Sequence, residues 1–251
     1  IAGSRLPAVI VNVQRGGPGL GNIAPAQGDY FQATRGGGNG DYRTIVLAPD
    51  SAQEMLDHTF EAFDLADQYR TPVMILSDGR LGQMMEPVEL RDPPARKPVE
   101  KPWALTGAKG RDALVVCSLH LPVPELAEHN RLLENVFQEI ERRVFTAYGA
   151  CARLCREAVD LLRDEGLKAG LVRPITLWPF PNKQMLAATK KAKTLVVVEM
   201  SFGQMLEDVR LAVSDRVPIE FIGRAGGESP SIKELVKFGR KHLKKTGNKR
   251  K

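Results

Sequence analysis

The chain has only three cysteines and four histidines in 251 residues, and those shortages exclude a good deal. Cys117, Cys151 and Cys155 are too few and wrongly spaced for a disulfide framework, or for an iron–sulfur cluster, which takes four thiolates. Cys151 and Cys155 fall on one expected helix and read as small core residues. His58, His120, His129 and His242 form no His-Glu-x-x-His pair, so no metal site is read from the sequence. No apolar run approaches the ~18 residues of a membrane span and no secretory h-region is present, so the chain reads as cytoplasmic. Aromatics make up 6% of residues, with no basic stripe interleaved among them, and nucleic acid is not an expected partner. The net charge of +6 belongs to a tail: Arg240 to Lys251 holds seven Lys or Arg and no acid, and the remainder balances to −1. Such a tail reads as a solvated helix end. No Ser/His/Asp, Cys/His or paired-carboxylate constellation can be assembled.

The stretch from Ala8 to Asp41 is what the chain does have. Ala8-Val9-Ile10-Val11-Asn12-Val13 is short and β-branched, which is how a strand buried on both faces of a parallel sheet reads. Gln14-Arg15-Gly16-Gly17-Pro18-Gly19-Leu20-Gly21-Asn22 follows at its carboxyl end, where open α/β sheets bind ligands. Glycines at 16, 17, 19 and 21 allow close approach of backbone to a ligand. Arg15 adds a permanent charge and a planar fork suited to a carboxylate or phosphate. A second glycine cluster runs from Gly36 to Asp41.

Standard nucleotide motifs fit poorly. Gly19-x-Gly21-x-x-Ala24 has the dinucleotide spacing but stands clear of the strand end, Pro25 follows, and no acid closes a second strand at the required distance. Without Gly-Lys-Ser/Thr there is no P-loop. A purely turn-forming role for the glycines stays open.

Alternation of strands and helices predicts an α/β protein of two parallel-sheet domains. Thr44 to Leu47 is a strand, Ser51-x-x-Glu54 caps a helix to about Tyr69, and Val73 to Ser77 is the next strand. Asp78-Gly79 turns the chain at the edge bearing the arginine loop, and turn chemistry explains Asp78 better than a ligand role. Five prolines between Met85 and Pro102 mark a linker, which Trp103 and the glycines near Gly107 dock against a partner or neighbouring domain. Leu126 to Arg143 is an amphipathic helix. It runs into an expected strand, Val144 to Tyr148, with no turn residue between, so we expect a loop closed up in this numbering there; a Cα separation between Arg143 and Val144 near ~3.8 Å refutes that. Then come a helix from Ala150 to Glu165, a strand from Ala169 to Arg173 leading into Ile175 to Trp178, and a helix from Lys183 to Lys191. A strand from Thr194 to Glu199, a helix capped by Ser201-x-x-Gln204, a strand from Val217 to Ile222 and a helix capped by Ser231-x-x-Glu234 complete it. The expected division is 1–92, 93–143 (linker and connecting helix) and 144–251. Because a parallel sheet needs neighbours for the first strand, natural residues ahead of Ile1 are expected.

Asn12-Val-Gln-Arg-Gly-Gly-Pro-Gly-Leu-Gly-Asn22, then Gln27-x-Asp29 and Gly36-Gly-Gly-Asn-Gly-Asp-Tyr42, resembles the pyrimidine-binding domain of 2-oxoacid:ferredoxin oxidoreductase alpha subunits. The Gly-Gly-Pro-Gly-Leu-Gly-Asn wording is similar to the branched-chain, 3-methyl-2-oxobutanoate type. Gly203-Gln204-Met205 and Gly223-Arg224-x-Gly226-Gly227 extend the resemblance over almost the whole chain. The resemblance implies a truncated pyrimidine-binding domain, a transketolase C-terminal-like domain and a split site. There a beta subunit holds thiamine diphosphate and Mg²⁺, since the Gly-Asp-Gly…Asn-Asn pattern tied to them is absent here. It also implies iron–sulfur clusters on gamma and ferredoxin-like delta subunits, ferredoxin as electron acceptor, and coenzyme A as acyl acceptor. Arg15 matches the arginine that binds the substrate carboxylate, and Gly17, Gly19, Gly21, Asn22 and Asp29 match the cofactor and substrate loop. No catalytic residue is expected in this chain, because the glutamate that activates the aminopyrimidine lies upstream of Ile1 in the family pattern. Where relatives read Gly-His-Gly-Asp, this chain has Gly38-Asn39-Gly40-Asp41. A noncatalytic assembly or regulatory subunit of the same fold, and an unrelated nucleotide-binding module, are the alternatives.

Overall fold

The computed structural model describes residues 1–90, 99–141 and 148–247. β1 (Ala8–Gln14) leads through the arginine loop into α1 (Tyr30–Arg35), then β2 (Ile45–Leu47), α2 (Ala52–Tyr69), β3 (Pro72–Asp78) and the short α3 (Gly79–Gln83). The described parts of the following arm, 84–90 and 99–122, carry no helix or strand ahead of α4 (Val123–Glu141). The remainder is α5 (Gly149–Asp164), β4 (Thr176–Trp178), α6 (Asn182–Thr189), β5 (Leu195–Glu199), α7 (Gln204–Val213), β6 (Ile219–Gly223) and α8 (Ile232–Gly247).

β1, β3 and β2 lie parallel in that order, and β5 and β6 form a separate parallel pair. Two sequence expectations need correction here. β1 is the edge of the described sheet, and its Ile10, Val11 and Val13 are exposed, so it is not covered on both faces. Ala169 to Arg173 carries no strand. The chain instead runs on to β4, which pairs antiparallel with β2, Val46 opposite Trp178, in the sheet of the first half. The wholly apolar β2 is buried at every residue, and β4 supplies its second neighbour. The strand expected at Val144 to Tyr148 and the expected discontinuity at Arg143 both fall outside the described residues, except that Tyr148 precedes α5.

Local signals hold where a side chain settles the helix end. Ser51 accepts from the Glu54 amide (3.1 Å), and Glu54 reaches back to the Asp50 amide (2.9 Å). Ser231 accepts from the Glu234 amide at 3.2 Å. Ser201 does not cap α7. Gly203 is the capping residue, and the buried Glu199 carboxylate accepts from the Met205 amide at 2.9 Å.

The main core gathers β2 and β3, α1, α2, α4 and α7, with Phe137 of α4 set edge-on to Trp178 at 5.6 Å between ring centroids. A second core packs α5 and α8 against β5 and β6 through Leu154, Leu162, Ile222 and Leu235. Cys151 is buried beside Ala150 and Met200, as a core residue. Burial pushes its thiol well above the usual range and that of Cys155 up to about 12. Trp103 of the arm packs under Arg70, whose guanidinium sits 4.6 Å from the ring centroid. No described helix is long and apolar enough to cross a membrane.

Candidate active site

The loop after β1 folds back on itself. Arg15 bridges to Pro25, the Gly16 amide donates to the Ala24 carbonyl (2.8 Å), and the Asn22 amide donates to the Gly16 carbonyl (2.8 Å). Gly21, with φ at +53°, must be glycine: a Cβ there would stand 1.8 Å from the Gly16 carbonyl oxygen. Open space surrounds the positions where a Cβ would stand on Gly17 and Gly19, leaving their backbone approachable. The Gly17–Pro18 peptide is cis.

Arg15 is exposed, and its Nη1 donates to the Leu20 carbonyl and, at 3.4 Å, to the Asn22 carbonyl. Among the described residues no carboxylate pairs with it, so its charge is uncompensated. Asn22 ties the loop to the second half: Nδ2 donates to the Gly226 carbonyl (2.9 Å), while Oδ1 accepts from the Ala24 amide (2.9 Å). Gly227 packs onto the same place, where a Cβ would lie 2.3 Å from that of Ala24. The Gly223-x-x-Gly226-Gly227 stretch thus meets the arginine loop in space.

Asp29 is half-buried at the N-cap position of α1, but its side chain makes no capping hydrogen bond. Its carboxylate accepts from Asn12 Nδ2 (3.2 Å), and its amide donates to Gln14 Oε1 (3.0 Å). Gln14 in turn donates to the Ser77 carbonyl (3.2 Å), so Asp29 is referenced to both β1 and β3. Gly17, Gly19, Gly21, Asn22 and Arg15 therefore form one exposed loop, with Asp29 behind it as a buttress. Asp78, fully buried, closes the edge: one oxygen accepts from the Arg80 and Leu81 amides and the other from the Ala150 amide (3.2 Å). Burial raises its pKa, against those three amides and the Arg80 charge. It caps α3 and joins it to α5, which fits the structural reading of Asp78.

Sequence reasoning missed two buried acids, of which Asp208 ties the halves together and Glu199 closes the start of α7. Asp208 of α7 receives the Tyr30 hydroxyl at 2.5 Å and both ends of the Arg35 guanidinium, at 2.8 and 3.2 Å. Burial pushes the Tyr30 phenol well above its ordinary value, and the Asp208 carboxylate adds to the rise. Glu199, with 1% of its surface exposed, ends β5; burial raises its pKa, although the Met205 amide works the other way. An acid closing the run Leu-Val-Val-Val-Glu was the available signal. Gln204, quoted in a motif but given no role, accepts from the Phe31 amide (2.9 Å) and donates to the Gly28 carbonyl (2.9 Å).

Two sequence profiles tile this architecture. Residues 1–143 match the pyruvate flavodoxin/ferredoxin oxidoreductase, thiamine diphosphate-binding family, and residues 142–235 match pyruvate:ferredoxin oxidoreductase core domain II. The chain belongs to the 2-oxoacid:ferredoxin oxidoreductase family. It is 42% identical to ketoisovalerate oxidoreductase subunit VorB of Methanothermobacter marburgensis, covering 94% of this chain and 71% of that one. To 2-oxoglutarate synthase subunit KorA of Methanocaldococcus jannaschii it is 33% identical, over 91% of this chain and 72% of the relative. Its fold matches a solved 2-oxoglutarate:ferredoxin oxidoreductase from Magnetococcus marinus with a TM-score of 0.75 at 23% identity, over 96% of this chain and 49% of that one. The chain thus spans about half of that solved chain.

Proposed function

We propose that this chain is the alpha-type subunit of a thiamine diphosphate-dependent 2-oxoacid:ferredoxin oxidoreductase, and that its arginine loop covers the aminopyrimidine and receives the substrate carboxylate. The observation that carries the reading is Arg15: a permanent charge with no acid partner, on an open glycine loop at a strand's carboxyl end. Its two carbonyl bonds use only Nη1, so the other edge of the fork remains available for a carboxylate. A charge at that place favours capture of an anionic 2-oxoacid. An exposed contact does not grip the carboxylate so hard that its departure as carbon dioxide is slowed.

Thiamine diphosphate, when bound, supplies the carbanion and the electron sink that no side chain provides. The open faces of Gly17 and Gly19 suit close approach of a flat ring to backbone, with Asn22 and Asp29 fixing the loop. In this proposal the diphosphate and Mg²⁺ belong to a partner beta subunit, and iron–sulfur clusters to gamma and delta subunits that deliver electrons to ferredoxin. Coenzyme A takes the acyl group. The curated relatives are named as subunits, which supports partner chains. The higher identity to a ketoisovalerate oxidoreductase subunit than to a 2-oxoglutarate synthase subunit favours a branched-chain 2-oxoacid. The division into 1–92, 93–143 and 144–251 is proposed as the evolutionary one, with β4 exchanged across it.

The test is coenzyme-A-dependent ferredoxin reduction by the assembled complex with 3-methyl-2-oxobutanoate, pyruvate and 2-oxoglutarate. The branched acid should give the highest kcat/KM, and Arg15→Ala should lower it about 30-fold or more, the loss of a charge-assisted contact of about 2 kcal/mol. No turnover of any 2-oxoacid by a complex with bound thiamine diphosphate would support the noncatalytic alternative.

A further inference from the structure

Two buried glutamines bracket the arginine loop, each with 1% of its surface exposed. Gln14, at the end of β1, fixes the outgoing limb to the first half through the Ser77 carbonyl and the Asp29 amide. Gln27, on the returning limb, is fixed to the second half. Its backbone amide donates to the Met200 carbonyl at 2.9 Å, and its Oε1 accepts from the Met200 amide at 3.0 Å, just beyond β5. One residue thus engages both backbone groups of the buried Met200.

An amide side chain is not the easiest occupant of that place. Gln27 Nε2 is shielded from solvent without an acceptor, and an unpaired buried donor is unfavourable. Gly149, with φ at +54°, leaves the room for it, since a Cβ there would stand 2.6 Å from Nε2. An apolar residue would escape the penalty but could not hold the Met200 amide.

From Gln27 the constraint runs by short steps to Arg15. Pro25, two residues back, is bridged to Arg15. The Ala24 carbonyl takes the Gly16 amide, and the Ala24 amide is held by Asn22 Oδ1. The Leu20 and Asn22 carbonyls that hold the guanidinium lie within this closed stretch. Asn22 makes a further tie to the second half at Gly226, but it is exposed and water competes for it. We infer that Gln27 is a positioning residue, which sets Arg15 against the end of β5 so that the free edge of its fork meets the substrate carboxylate. This rests on the role given to Arg15 above.

A double-variant cycle in the assembled complex tests it, with kcat and KM for the preferred 2-oxoacid read separately. Gln27→Met should raise KM about tenfold with kcat little changed, because a displaced Arg15 weakens capture. In the Arg15→Ala background the same change should cost no more than about twofold, since a residue acting through Arg15 then has nothing left to position. Gln204→Met, which loosens the same junction at the Phe31 amide and the Gly28 carbonyl, should leave KM within about twofold of wild type. Gln27→Asn, one methylene shorter, keeps the test open if Gln27→Met does not assemble. Wild-type KM in the Gln27 variants, equal losses with and without Arg15, or an equal rise in KM from Gln204→Met each overturns the inference and leaves the role of Arg15 standing. An Arg15→Ala complex with wild-type kcat/KM would instead overturn the reading on which it rests.

Discussion

Replacing Gly21 by alanine probes how the arginine loop is built. The added methyl would lie 1.8 Å from the Gly16 carbonyl oxygen and 2.7 Å from its carbon, both backbone atoms, so no side-chain rotation relieves the overlap. The residue also sits at φ +53°, which costs alanine about 1 kcal/mol relative to glycine. Moving the peptide breaks the 2.8 Å bond from the Asn22 amide to the Gly16 carbonyl, worth about 1 kcal/mol more. Leu20 and Asn22, whose carbonyls hold Arg15, flank the position, so the guanidinium moves with it. A displacement of about 1 Å at a positioning group lowers kcat/KM about 100-fold. The loop is exposed and outside both cores, so the unfolding midpoint of the complex should fall by no more than about 4 °C. Gly166→Ala is the control: it carries comparable backbone strain at φ +76° with open space, away from the arginine loop, and should lose no more than about fivefold. Steady-state ferredoxin reduction and calorimetry on both variants decide the matter. A Gly21→Ala complex with wild-type kcat/KM would refute the argument that the loop geometry positions Arg15.

Three further outcomes are expected. Asp208→Ala strands the buried Tyr30 hydroxyl and should cost about 2 kcal/mol in urea denaturation, most of it recovered by adding Tyr30→Phe; the half-exposed Arg35 contributes little. The folded-state pKa of Glu199 is raised, so the native state holds the proton more tightly than the unfolded chain. Its contribution is present below the unfolded value of about 4.3 and is lost as pH rises through the folded value. Urea midpoints of Glu199→Gln should therefore fall less than those of wild type as pH rises above about 4.3, and parallel curves would contradict this. Phe137→Ala empties the contact with Trp178 and should destabilise by about 3 kcal/mol, read from the same denaturation curves.

The candidate loop was legible because glycines, an arginine and a β-branched run sit together in sequence, and local order is what such patterns encode. Helices with a Ser cap were equally legible, since Ser51 and Ser231 act on residues three positions away. Failures came where a distant group wins. Ser201 had the right spacing, yet Glu199 takes the Met205 amide because its carboxylate, confined at the end of β5, is the stronger acceptor. Ala169 to Arg173 has strand-like composition, but β2 offers its free edge only to the residues after Pro174. The Asp208–Tyr30–Arg35 contact links residues far apart in sequence, and no periodicity reports it.

The pairing of β4 with β2 makes the two halves interdependent. A chain ending ahead of Thr176 would leave the apolar β2 with one strand neighbour and an open row of backbone donors and acceptors, the kind of edge that recruits other chains. During synthesis that edge stays unsealed until Trp178 has left the ribosome, long after β2 itself. Expressed as separate fragments, the halves should associate or aggregate, and grafting either one onto a homologue would require carrying three residues of the other with it.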